Sequence, residues 1–178
     1  MVEVYYHDNK DTPDDFTKAH NSGEPVSLEK LAEIGVFYKN VKTLDELNEI
    51  AKEREYKNRD VVNLDLNAFN NNLDAYNAKM AQFYKEHYHE DEEIRYVTEG
   101  EGYFDVRDKE ERWIRAKLSA KDLLILPAGI FHRFTLTDDL KQVTAVRLFK
   151  DEPKWEAINR DTEKVTQARS DYVQSIAV

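Results

Sequence analysis

Three histidines and one glutamate in this chain are spaced so that they could hold a metal ion. His87, His89 and Glu93 stand in one short stretch, Arg95 follows two residues on, and His132 comes directly after Pro127-Ala128-Gly129-Ile130-Phe131. Side chains of an extended segment alternate between faces, so His87, His89, Asp91, Glu93, Arg95 and Val97 share one face unless a bulge intervenes. A carboxylate and a guanidinium turned inward cost several kcal/mol unless they are paired or bound to a metal. The same spacing also describes a solvated polar face, and His-x-His with a nearby acid does not separate the two readings. The Pro-Ala-Gly turn adds a second element, because it starts a strand that carries His132, Phe134 and Leu136 on one face and could bring in a fourth ligand. Imidazole nitrogen with one carboxylate oxygen suits iron(II), nickel(II), manganese(II) or zinc. Three His and one Glu leave two octahedral positions at which a substrate could chelate. The chain has no cysteine, which excludes thiolate ligands, disulfides and a cysteine nucleophile. His7 and His20 have no ligand partners near them in sequence and are expected to lie outside the chemistry.

These residues need a frame, and the pattern supplies one from about Glu93 onward. Segments 93–97, 102–107, 113–118, 123–126, 131–136 and 143–149 alternate with period two between recurrent turn signals, which predicts an antiparallel sandwich or small barrel. Before them the sequence reads as a short strand at 1–7 and three helices. Ser27 caps the first, with Leu28, Leu31 and Ile34 at helical spacing and Gly35 as its stop. Thr43 and Glu46 form a capping-box pair before Leu44, Leu47, Ile50 and Ala51. Leu73, Tyr76, Met80, Phe83 and Tyr84 recur at three- and four-residue steps and lead toward His87. No repeat or linker divides the chain, so residues 1–178 read as a single domain, with a loosely packed or flexible tail from about residue 160.

Composition narrows the partners. The chain of 178 residues has 36 acidic residues against 26 Lys plus Arg, a net charge of −10, which disfavours nucleic acid and anionic lipid surfaces. No apolar run approaches the ~20 residues that span a bilayer, and no leader pattern opens the sequence. A soluble monomer is expected, in the cytoplasm and with the nucleus also open to it.

The order His87-x-His89, three residues, Glu93, six residues, Gly100, then Pro127-x-Gly129, two residues, His132 resembles the paired motifs of the cupins. The resemblance implies a mainly β fold, a cupin jelly-roll β-barrel with a few peripheral α-helices. Two glycines common in that pattern are replaced here by Ala81 and Lys121, and a left-handed backbone at Lys121 would cost ~1 kcal/mol. Within the cupins, His-Tyr-His-Glu-Asp-Glu-Glu-Ile-Arg-Tyr at 87–96 resembles the signature of the acireductone dioxygenase family, and stretches 102–108, 113–115, 126–135 and 147–149 agree with it. The likeness spans roughly residues 1–160.

The family resemblance implies His87, His89, Glu93 and His132 as metal ligands, with iron(II) as the metal and nickel(II) as the alternative. It implies Arg95 as a charge-stabilising catalytic residue in contact with substrate, Phe83 and Phe134 as flanking rings, and Arg147 and Trp155 as residues near the site entrance. Plain core packing is the other reading of Phe83 and Phe134, and tail anchoring that of Trp155. The implied reaction belongs to methionine salvage, where oxygen cleaves the enediol 1,2-dihydroxy-3-oxo-5-(methylthio)pentene. Iron gives formate and 4-methylthio-2-oxobutanoate, and nickel gives formate, carbon monoxide and 3-methylthiopropanoate. No general base stands out, although Glu86 is near in sequence. A metal cupin acting on a different small acid or diol, and a non-catalytic cupin binding module, are the competing classes.

Overall fold

The change to period two corresponds to two facing sheets that share one long strand. A computed structural model describes residues 2–151 and 155–177. In chain order the elements are β1 (Glu3–His7), β2 (Asn21–Pro25), α1 (Leu28–Glu33), β3 (Phe37–Asn40), α2 (Leu44–Glu53), β4 (Asn58–Leu64), α3 (Leu73–Tyr84), β5 (His87–Tyr88), β6 (Glu93–Arg107), β7 (Trp113–Ser119), β8 (Asp122–Leu126), β9 (His132–Leu136), β10 (Val143–Phe149), β11 (Ile158–Asn159) and α4 (Gln167–Ser175). The first half of β6 pairs with β8 and β10, and its second half with β7 and β9. One sheet runs β11-β5-β9-β6-β7-β1-β2; β4 pairs with β10 and β3 with β8 in the other. The expected barrel is therefore not closed by hydrogen bonds, although the mainly β architecture with a few peripheral helices stands.

The sequence pattern divides β6 into two strands around Glu-Gly-Glu-Gly at 99–102, and the structure corrects this to one continuous strand with a bend. Opposite β10 the register steps from Val97 to Glu99, so Thr98 is an extra residue and the strand bulges there. Gly100 takes φ +78°, and a Cβ on it would lie 2.2 Å from the Gln142 carbonyl oxygen. Only glycine fits that corner, where the strand passes from one sheet to the other. Lys121 takes φ +76°, the left-handed turn anticipated where glycine is missing; its N–H donates to the Val97 carbonyl at 2.8 Å.

Residues facing inward from both sheets, among them Val97, Phe104, Val106, Leu124, Leu126, Leu136 and Val143, form the main core. A second cluster lies on the outer side of β6, β8 and β10, where α2 sets Leu47, Ile50 and Ala51 against Ile94, Leu123, Ile125 and Leu148. Burial on both faces explains why β8 reads as a continuous apolar run. The expected caps form: Ser27 accepts from the Lys30 N–H and Thr43 from the Glu46 N–H, each at 3.2 Å. No helix among the described residues is long and apolar enough to cross a membrane.

The reading of a loosely packed tail is corrected. From residue 158 the chain returns to the sheet, β11 pairing with β5, and the Tyr88 hydroxyl donates to the Lys164 carbonyl at 2.9 Å. Helix α4 then docks through Tyr172, which is 5% exposed and donates its hydroxyl to the Ile34 carbonyl at 2.8 Å. Arg169 donates to the Gly129 carbonyl at 2.9 Å. One buried aromatic fastens an otherwise polar segment, which is why apolar periodicity did not reveal it. Tyr172→Ala is expected to cost ~3 kcal/mol, by analogy with truncation of other buried aromatics, lowering Tm by ~6–12 °C for a chain of this size. An unchanged thermal unfolding curve would show that the helix contributes nothing.

Candidate metal centre

The tight turn ending at Ile130 leads into β9, whose first residue, His132, lies directly opposite His87 of β5. His89 follows on the loop leaving β5, and Glu93 opens β6. The three imidazoles form a triangle with ring centroids 4.5, 5.0 and 5.1 Å apart. Each offers one ring nitrogen, and these lie within 4.8 Å of one another. Glu93 joins from below: Oε1 is 3.7 Å from His89 Nε2 and Oε2 is 3.4 Å from His132 Nε2.

Backbone carbonyls fix the tautomers. Nδ1 of His87 lies 2.5 Å from the Lys85 oxygen, Nδ1 of His89 3.1 Å from the Glu156 oxygen, and Nδ1 of His132 3.0 Å from the Ile130 oxygen. A carbonyl only accepts, so each Nδ1 carries the proton and each Nε2 keeps its lone pair, the arrangement metal-binding histidines adopt. His132 Nε2 is buried with no hydrogen-bond partner, a costly state for a polar atom that a cation would relieve.

The electrostatics agree. Burial holds the His132 imidazole down to about 3 and shifts His87 in the same direction, which keeps both rings neutral and able to donate. For Glu93, burial pushes the carboxyl up, but Arg95 and the three imidazoles together outweigh it and hold the group down to about 2. The ionised carboxylate accepts from Arg95 Nη2 at 3.0 Å.

Above this polar end opens a cavity of about 240 Å³. Arg95 lines it beside Glu93. Phe83, Phe104 and Phe134 form one wall, with Phe134 meeting Phe83 edge-on at 6.0 Å and Phe104 at 4.8 Å. Val62 and Leu64 of β4 and Val97, Val143 and Ala145 form the other. Arg147 and Trp155 also line it, the guanidinium carbon 3.9 Å from the Trp155 ring centre. The expected residues are thus brought together. The alternation of β4 and β10 could have pointed to Val62, Leu64 and Ala145, which sequence reasoning left out.

One expectation changes and two others gain detail. Asp91 does not share the cavity, because the strand breaks after Tyr88 and the loop turns it into a neighbouring cleft with Glu90 and Glu92. Glu86 is paired with Arg107 and Arg160, at 2.8 Å each, and does not line the cavity, so it is no candidate base. His7 and His20, which have no partners near them in sequence, meet in space with Asp8, their rings stacked at 5.2 Å. Their hydrogen bonds oppose metal binding. His7 Nδ1 accepts from the Asn9 N–H at 2.9 Å, which puts the proton on Nε2. Both ring nitrogens of His20 face oxygens, Asp8 Oδ1 at 3.0 Å and the Asp15 carbonyl at 2.9 Å.

Known proteins match this frame. The model of the ARD/ARD' family matches residues 3–157. The acireductone dioxygenase of Candida albicans is 74% identical over 178 residues, covering 100% of both chains. That of Saccharomyces cerevisiae is 54% identical over 179 residues, covering 99% of this chain and 98% of its own. Among solved structures, acireductone dioxygenase from Bacillus anthracis with a cadmium ion in its active center superposes with a TM-score of 0.67 at 24% identity, covering 89% of this chain and 98% of that one. At that identity the likeness speaks for the fold.

Proposed function

Because the chain belongs to the acireductone dioxygenase (ARD/ARD') family, we propose that it cleaves the enediol of methionine salvage with oxygen at one divalent metal held by His87, His89, Glu93 and His132. The observation that carries this reading is the set of three backbone carbonyls that leave three Nε2 lone pairs free, two of them 3.7 and 3.4 Å from the Glu93 carboxylate. All four donors are nitrogen or oxygen, which fits iron(II) as the working metal and nickel(II) as the alternative. The metal supplies Lewis acidity for a chelated enediolate and a place for oxygen to react.

The chain's own residues do the rest. Arg95, fixed by Glu93 and by its hydrogen bond to the Ile94 carbonyl at 3.0 Å, offers a positive charge where the enediolate carries its negative one. Phe83, Phe104 and Phe134 accept the apolar methylthio arm and exclude water. Arg147 and Trp155 frame the entrance.

The test is to strip the protein of metal, reload it with iron(II) or nickel(II), and identify products from the enediol and oxygen. Iron-loaded protein is expected to give formate and 4-methylthio-2-oxobutanoate, and nickel-loaded protein formate, carbon monoxide and 3-methylthiopropanoate. Identical products from both would confine the claim to the iron reaction. No enediol consumption by either would assign the site to a different small diol or acid.

A further inference from the structure

We propose that Asp60 is a positioning residue that keeps Arg147 at the wall of the cavity and so leaves the charge of the substrate to Arg95; the inference rests on the reaction proposed above. On the inner face of the sheet, Asp60 of β4, Arg147 of β10 and Arg95 of β6 stand in one register row. Arg147 and Arg95 are direct cross-strand neighbours, an arrangement that repels unless each cation has its own carboxylate. Arg95 has Glu93 at 3.0 Å. Arg147 has Asp60 in a two-pronged pair, Nε to Oδ1 at 2.8 Å and Nη2 to Oδ2 at 2.6 Å, which fixes the plane of the guanidinium as a lysine could not be fixed. Trp155 lies on the face of that plane and meets Phe149 edge-on at 5.4 Å.

In the proposed site Glu93 would also serve the metal, and Arg95 would then share its charge with the substrate. Asp60 is the carboxylate in the row with no role at the metal. Without it, Arg147 sits on a flexible arm beside Arg95, and Glu93 is the next carboxylate along that face of the sheet. A released Arg147 would reach into the cavity, and the enediolate would have to displace it.

The experiment uses the full chain saturated with iron(II), with enediol as substrate. Asp60→Asn is expected to raise KM about tenfold with kcat within about threefold of wild type, the signature of lost binding as opposed to lost chemistry. Asp60→Glu should restore KM, because it returns a carboxylate to the Arg147 guanidinium. A readout independent of turnover is tryptophan emission, which should change in Asp60→Asn, where the cation leaves the Trp155 ring, and return toward wild type in Asp60→Glu. Wild-type KM in Asp60→Asn, or an Asp60→Glu variant no better than Asp60→Asn, overturns the proposal while an active wild type preserves the reaction. A wild type that consumes no enediol overturns both.

Discussion

His132→Ala is expected to leave the protein without bound metal and without turnover. The imidazole is a direct ligand in the proposed site, and its Nε2 is buried without a hydrogen-bond partner. Removing residues that merely support ligands lowers metal affinity ~10–100-fold, so losing a ligand should exceed ~100-fold. Glu93→Ala should behave alike, with one difference: it also leaves Arg95 buried without its carboxylate, so the metal-free variant should melt below metal-free wild type. Elemental analysis of protein purified from iron- and nickel-supplemented medium, followed by titration of the stripped protein, measures both. Occupancy equal to wild type in both variants would show that these residues are not ligands.

Arg95→Leu should separate metal from chemistry. The guanidinium donates to Glu93, not to any histidine, so the four ligands survive its loss and occupancy should stay near that of wild type. Turnover should fall ~100-fold or more, the scale at which removing one aligned donor from a developing negative charge is felt. Leucine also removes the repulsion between Arg95 and Arg147, and with metal bound Glu93 keeps a cationic partner, so the loaded fold should not suffer. Near-normal turnover with full occupancy would reduce Arg95 to a structural partner of Glu93.

Much of this site was legible along the chain because its ligands are short-range patterns. His87, His89 and Glu93 sit on one segment, and Pro127-Ala128-Gly129 announces the turn that brings in His132. Alternation, a local property, put Arg95 on the same face as Glu93, whereas Arg147 came only with the family resemblance. What was missed depends on partners distant in sequence. The carbonyl of Glu156 that orients His89 is a backbone atom, and every residue has one. Asp60 looks like any charge on an edge strand until β4 is laid beside β10. The bend in β6 carries two glycines, which read as a turn when the neighbouring strands are unknown. Helix α4 buries Tyr172 alone, too little apolar surface to register as a periodic stripe.

The placing of the braces has a consequence for how the protein is made. The four proposed ligands lie between residues 87 and 132, whereas the Glu156 carbonyl, β11 and the helix against Gly129 all come later in the chain. Synthesis runs from the amino terminus, so in a nascent chain His87 and His132 already have their orienting carbonyls while the brace on His89 has not yet been made. At that stage His89 lacks its orienting carbonyl and the Pro-Ala-Gly turn lacks its buttress. The proposed site would therefore be complete only once residues 156–177 have emerged and seated, and any metal it takes would meet a finished fold.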